Sequence, residues 1–287
     1  MNPENDYDAP EDAEAQLRAA LIRCCALSDE AVAKITHAAR VLDIDFSEAA
    51  LSTGFVTEED IDYARQSTRQ VPQVRAKRAR PGPELVLPRD PFDTRSEKLL
   101  ALRTELLLRH DADSRANMVA LLSPCAGEGR SQLAAELALA FAQLGHPTLL
   151  VDADLRRPRQ HLLFSADNEH GLSQSIAKRE TPLLQPVENM PQMSLLTAGP
   201  TPLNPLELLS DGYFERMVRD WRQSYEFVVI DTAPVNQFSD GLAVATLVGR
   251  VLVLSRANYT PYPQQREMLR RLTATRSQIL GAVINHF

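Results

Sequence analysis

Cysteine is scarce in this chain: three in 287 residues, Cys24, Cys25 and Cys125, two of them sequence neighbours. That spacing excludes a disulfide framework and any cysteine-based metal finger. Long apolar runs are missing as well, so no segment is expected to cross a bilayer. The opening MNPENDYDAPEDAEAQ has neither the cationic start nor the apolar stretch of a secretory signal, and a cytoplasmic protein is expected. Positive charge is in deficit: 31 Lys and Arg against 38 Asp and Glu leave a formal net charge of -7, which argues against general nucleic-acid binding. The locally basic VRAKRARPG reads as a solvated linker. The six histidines lack metal-ligand spacing, and the lone Trp221 reads as a packing anchor. The remaining composition is globular, with length for one full α/β domain and a small appendage.

Four regions follow along the chain. Residues 1–14 are polar and acidic and are expected to be a disordered tail. Residues 15–70 carry helix signals: Ser28 is placed as an N-cap before Ala31, Ile35, Ala38 and Leu42, and Thr57 with Asp60 fits a capping box before Ile61 and Ala64. Residues 71–93 hold several prolines without sustained periodicity, which is linker composition. From 94 to 287 short apolar runs at 117–123, 147–154, 226–232, 250–255 and 280–286 alternate with helical patterns. One helix, SEKLLALRTELLLR, is expected to start through a Thr94–Glu97 capping box; another keeps Leu133, Leu137, Ala140, Phe141 and Leu144 on one face and stops at Gly145. This alternation predicts an α/β fold, a doubly wound, mostly parallel sheet with a small N-terminal helical domain, and places ligands at the carboxyl ends of the strands.

Three constellations fall at those ends. SPCAGEGRSQ lies between a strand and a helix; Gly127 and Gly129 let backbone N–H groups approach phosphate oxygens, and the helix N-terminus adds its positive dipole. In LLVDADLRRP, Asp152 and Asp154 sit two apart, so both can face the same crevice, where a hard cation such as Mg²⁺ would relieve their repulsion. In FVVIDTAP, Asp231 closes an apolar strand at the same edge and can reach the water shell of that metal. Any one of the three is ordinary; their order and context point to a magnesium-bound polyphosphate.

SPCAGEGRS, LLVDADLRRP and FVVIDTAP resemble the Walker A, Walker A′ and Walker B motifs of the bacterial tyrosine kinases (BY-kinases), a branch of the deviant P-loop ATPases. The resemblance covers about residues 88–287 and extends to RPRQHLLF, GLSQSI, AGPTPLNPLELLS and GAVIN. It implies a P-loop NTPase fold, ATP or ADP with Mg²⁺ as ligands, and an inner-membrane chain-length determinant of exopolysaccharide export as partner, to which a cytoplasmic protein would attach peripherally. By position, Gly127, Glu128, Gly129, Arg130, Ser131 and Gln132 would hold the nucleotide phosphates, and Asn285 would contact adenine. Ser131, Asp154 and Asp231 would hold the metal, and Asp152, Asp154 and Arg130 would serve the chemistry. The stretch FSEAALSTGFVTEEDIDYA is similar to the small helical domain at the start of type II secretion ATPases, which implies protein docking.

The family pattern breaks at three places. Arg130 stands where the Walker lysine is expected, and a wide planar guanidinium does not replace a slim ammonium in a tight loop, so nucleotide binding with slow or absent phosphoryl transfer is expected. The sequence reaches Phe287 without the family's tyrosine-rich tail; Tyr259 and Tyr262 in NYTPYP read as loop packing. The family's assembly motif of one Glu and two Arg becomes Glu97, Leu100 and Arg103, which leaves half the charges for a homo-oligomer. Cys125 near a helix N-terminus allows a favoured thiolate, though small-residue packing is the simpler reading. Three further readings stay open: an active autokinase that tolerates Arg130, an adaptor without nucleotide, and a partitioning or septum-positioning ATPase. The early loop lysine usual in that last class is absent from Ser123, Pro124, Cys125 and Ala126.

Overall fold

Two units separate along the chain, Met1–Val74 and Arg75–Phe287. The computed structural model describes residues 10–68, 78–87, 90, 92–109 and 117–286. In the first unit lie helices α1 (Pro10–Cys24), α2 (Asp29–Leu42), α3 (Phe46–Ser52) and α4 (Glu58–Thr68). Of the acidic tail expected over 1–14, residues 1–9 lie outside the described residues, and from Pro10 the chain is helical, which corrects that expectation. The physical reason is the apolar stripe Ala20, Leu21 and Cys24, all buried, from which the helix propagates back to a proline at its first position.

The caps of this unit follow the local sequence. Ser28 Oγ accepts from the Ala31 amide at 3.2 Å. Thr57 and Asp60 cap each other's backbone, with Thr57 N–H donating to Asp60 Oδ2 at 3.0 Å and Asp60 N–H donating to Thr57 Oγ1 at 3.3 Å. Such caps contribute about 1 kcal/mol each by satisfying amides the helix cannot. Of the expected α2 stripe, Ala31 and Ile35 are buried whereas Leu42 is exposed.

The second unit alternates as expected: α5 (Thr94–Leu108), β1 (Asn117–Leu122), α6 (Arg130–Ala142), β2 (Thr148–Asp152), α7 (Gln160–Leu163), α8 (Leu172–Lys178), β3 (Gln185–Val187) and β4 (Met190–Leu196). The chain continues with α9 (Pro205–Leu209), α10 (Gly212–Ser224), β5 (Phe227–Asp231), α11 (Asp240–Val248), β6 (Arg250–Arg256), α12 (Tyr262–Leu272) and β7 (Gln278–Asn285). The seven strands form one sheet in the order β3-β4-β2-β5-β1-β6-β7. All pairings are parallel except β3 with β4. Residues of β1, β2 and β5 are buried along nearly their whole length, which explains their continuous apolar runs. Helix α6 is buried over most of its surface, and Phe141 stacks on Phe227 with ring centroids 4.0 Å apart.

Three local expectations are corrected. Strands β3 and β4, which no apolar run marked in the sequence, lie at one end of the sheet, β3 as the edge strand and β4 between β3 and β2, and part of each stays exposed. Residues 78–87, read as linker, belong to the second unit: Ala79 N–H donates to Pro186 O at 3.0 Å, Glu188 N–H donates to Ala79 O at 2.7 Å, and Leu85 and Leu87 are buried. Prolines interrupt any periodicity there, so only the tertiary contacts reveal the packing. Helix α5 is capped by Asp93, whose Oδ1 accepts from the Arg95 amide at 2.8 Å, one residue ahead of the expected Thr94.

This topology positions the site. The parallel strands β1, β2 and β5 end at one edge, and the register sets Asp152 of β2 directly beside Asp231 of β5.

Candidate functional site

The loop from Ser123 to Gly129 leaves β1 and opens α6. Gly127 and Gly129 both take positive φ, +78° and +90°, a region that side chains resist, and Gly129 is the N-cap residue of α6. No side chain caps that N-terminus. The loop is braced from several sides: Glu128 Oε2 accepts from the Cys125 amide at 2.8 Å, and Glu128 Oε1 accepts from the Thr260 hydroxyl at 2.5 Å. Tyr259 Oη donates to Ala126 O at 3.2 Å, and Arg256 Nη1 donates to Gly127 O at 3.3 Å. Asn285 Nδ2 donates to Glu128 O at 3.1 Å. A cavity of about 530 Å³ borders the loop, with Gly129, Leu133 and Asn285 in its wall, a size within the usual range of small-molecule sites.

Arg130 does not point out of the loop. Its side chain is only 7% exposed and runs back under the strand ends. Nη1 donates to Ser123 Oγ at 2.6 Å, Nη2 donates to Asp154 Oδ2 at 3.2 Å, and Nε lies 3.4 Å from Asp231 Oδ1. Asp154 and Asp231 therefore converge on a guanidinium beside the loop, with Asp152 set next to Asp231 by the strand register. Asp152 and Asp231 are completely buried and Asp154 nearly so. Burial, followed by the neighbouring charge of Asp231, pushes the Asp152 carboxyl well above the usual carboxylate range. Burial also raises Asp231, against the pull of Arg130 and a hydrogen bond from Ser131.

Gln160, which sequence reasoning did not single out, joins this cluster. Fully buried at the start of α7, it donates through Nε2 to Asp231 Oδ2 and to Ser131 O, both at 2.9 Å. The only local signal was its place in RPRQHLLF, and nothing in that stretch says that its amide crosses to β5. Arg156 pairs in bidentate fashion with the buried Asp240 of α11, Nε at 2.6 Å and Nη2 at 3.1 Å, and so pins the loop that follows Asp154.

Other expected site residues are placed differently. Gln132 turns its side chain away and donates to Glu84 O at 2.8 Å, which leaves its backbone amide as the group nearest the loop's role. Cys125 does not become an activated thiolate: burial and the charge of Glu128 push its thiol up. Of the two tyrosines read as loop packing, Tyr259 braces the loop through its hydrogen bond to Ala126 O while staying half exposed, whereas Tyr262 opens α12 and is exposed. Arg103 donates through Nη1 to Ala140 O at 2.9 Å, near the carboxyl end of α6, while Glu97 is exposed. Trp221 is buried.

The glycine loop and open helix N-terminus fit a phosphate group. A divalent ion between Ser131, Asp154 and Asp231 fits less well, because the protein itself engages those oxygens. Among the described residues no three Asp, Glu, His or Cys side chains group as a metal site needs.

The raised carboxyl of Asp152 carries a sign. A folded-state value above the unfolded one makes the native state hold a proton that the unfolded chain has released, so this group's contribution falls as pH rises from the ordinary Asp value through the folded one. Relative to Asp152→Asn, the wild type is expected to lose stability progressively over the range of pH above the ordinary Asp value. Parallel unfolding curves for the two proteins across that range would refute it.

A glycine loop that opens a helix beneath a mostly parallel sheet, with aspartates closing the neighbouring strands, defines a P-loop NTPase-type protein. No family model matches the chain. It is 34% identical over 199 residues to the tyrosine-protein kinase YwqD of Bacillus subtilis (strain 168), across 68% of this chain and 83% of that protein. The crystal structure of the chimerical protein CapA2B2 superposes with a TM-score of 0.67 at 29% identity, over 80% of this chain and 98% of its own. The kinase domain of the Escherichia coli tyrosine kinase ETK gives 0.66 at 28%, over 74% and 83%. The chain belongs to the bacterial tyrosine-protein kinase family.

Proposed function

We propose that the protein binds ATP or ADP at the Gly127–Ser131 loop and regulates exopolysaccharide or capsule polymerisation and export with a membrane chain-length determinant, its phosphoryl transfer weak or lost. The observation that carries the reading is the course of Arg130, whose three guanidinium nitrogens face Ser123, Asp154 and Asp231 rather than the mouth of the loop. A cation held there adds nothing to a phosphoryl group in transit, whereas backbone amides at the start of α6 still favour a bound phosphate. Nucleotide then acts as a conformational ligand, through unequal affinity for two states of the protein.

Family membership implies ATP and Mg²⁺ as ligands, and the name CapA2B2 supports a CapA-like partner. No helix among the described residues is long and apolar enough to cross a membrane, which agrees with attachment through such a partner. A homo-oligomer through α5 would rely on Glu97, since Arg103 is engaged within the subunit. The competing reading, an active tyrosine autokinase, is favoured by the retention of all three acids beside the loop. The partitioning-ATPase reading has lost ground to relatives that are tyrosine kinases at 30% identity and above.

Calorimetric titration with ADP and ATP, followed by mass spectrometry of protein kept with ATP, tests the proposal. Saturable binding with tyrosines left unmodified is expected. Phosphate on any tyrosine restores the autokinase, and absence of binding leaves the adaptor.

A further inference from the structure

Five of the six carboxyl oxygens of the three aspartates accept hydrogen bonds. Asp152 Oδ1 accepts from the Asp154 amide at 3.2 Å, and Oδ2 accepts from the amides of Arg159 and Gln160 at 3.0 and 2.9 Å. Asp154 Oδ1 accepts from the amides of Arg156 and Arg157 at 3.3 and 3.0 Å, and its Oδ2 accepts from Arg130. Asp231 Oδ2 accepts from Gln160, while Oδ1 makes no hydrogen bond and faces Arg130 Nε across 3.4 Å. Ser131, the residue whose hydroxyl would turn to a metal, lies near enough to Asp231 to help hold its carboxyl down against burial.

Magnesium demands about six oxygen ligands in near-ideal octahedral geometry at about 2.0–2.1 Å. To reach Asp154 it would have to displace the buried Arg130 guanidinium or the part-buried amides of Arg156 and Arg157, and at Asp231 the one open oxygen, Oδ1, already faces Arg130 Nε. Expelling the guanidinium leaves buried polar groups unpaired, at a cost of about 1–3 kcal/mol each. A guanidinium is a weakly hydrated, permanent cation with donors in a fork, well suited to sit between carboxylates in a dry site. A lysine at the same position carries its charge on one compact, strongly hydrated ammonium rather than across three nitrogens of a planar fork.

We infer that Arg130 is the resident cation of this site, standing where a divalent metal would, and that nucleotide binds here as the metal-free polyphosphate. The inference rests on the nucleotide-binding reading above and makes this chain's ligand requirement differ from the one its family implies.

The test is titration of ADP into the wild type and Arg130→Lys, in excess Mg²⁺ and in EDTA, together with Mn²⁺ alone followed by thermal shift. For the wild type, affinity should change by less than about threefold between the two media, and Mn²⁺ alone should give no saturable shift. Arg130→Lys, which frees carboxylate oxygens, should bind ADP at least about tenfold more weakly in EDTA than in Mg²⁺ and should gain a saturable Mn²⁺ shift. Wild-type binding that needs Mg²⁺ by tenfold or more overturns the inference and leaves the nucleotide reading standing, as does a saturable Mn²⁺ shift in the wild type. Failure to bind ADP in either medium overturns the nucleotide reading, and the inference with it.

Discussion

Substituting lysine for Arg130 is expected to raise ATP turnover about 10²- to 10³-fold, with a much smaller change in ADP affinity in Mg²⁺. Lysine on this loop can swing toward the phosphates as a compact point charge, whereas the guanidinium is tied to Ser123, Asp154 and Asp231. A donor present only in the transition state changes the rate and leaves ground-state binding nearly alone, and the loop amides that hold the phosphates are common to both proteins. Single-turnover hydrolysis on the two proteins, with matched ADP titrations, reads both quantities. Equal rates would mean that Arg130 is tolerated and that the protein is a working enzyme of its family.

Removing the charge at the same position should act on stability instead. Arg130→Met keeps the stem and deletes the guanidinium, which leaves the buried Asp154 and Asp231 without their cation. Breaking a buried ion pair from one side typically costs about 3–5 kcal/mol. For a unit of this size that corresponds to a fall in Tm of about 6–20 °C. The loss should shrink as pH falls, because burial raises the Asp231 carboxyl and a protonated carboxyl needs no cation. Adding Asp231→Asn to Arg130→Met should recover much of the difference, since the amide removes one of the unpaired charges. A Tm within about 1 °C of the wild type would show that the guanidinium does not neutralise this cluster. Calorimetry on the wild type, the single variant and the double variant distinguishes these outcomes.

The framework of both units was legible locally. Ser28, Thr57 and Asp60 cap the helices their positions suggested, because a cap needs only neighbours three residues away. The strands β1, β2, β5, β6 and β7 stood out as apolar runs because each is covered on at least one face. The short edge strand β3 and its neighbour β4 did not, and neither did the packed segment 78–87, whose partners lie about a hundred residues away at Phe164 and Pro186.

The candidate site divides in the same way. By itself the sequence determined the glycine turn, the open start of α6 and an aspartate at the end of each of two strands, since these follow from backbone conformation and from the position of a residue within its element. Tertiary structure alone decided that Arg130 turns inward, that Gln160 bridges Ser131 to Asp231, and that Asp152 and Asp231 lie side by side. Those pairings join residues far apart in the chain, brought together by strand register. With each carboxylate buried, its protonation and its partner depend on which cation the fold delivers to it, and no local pattern records that.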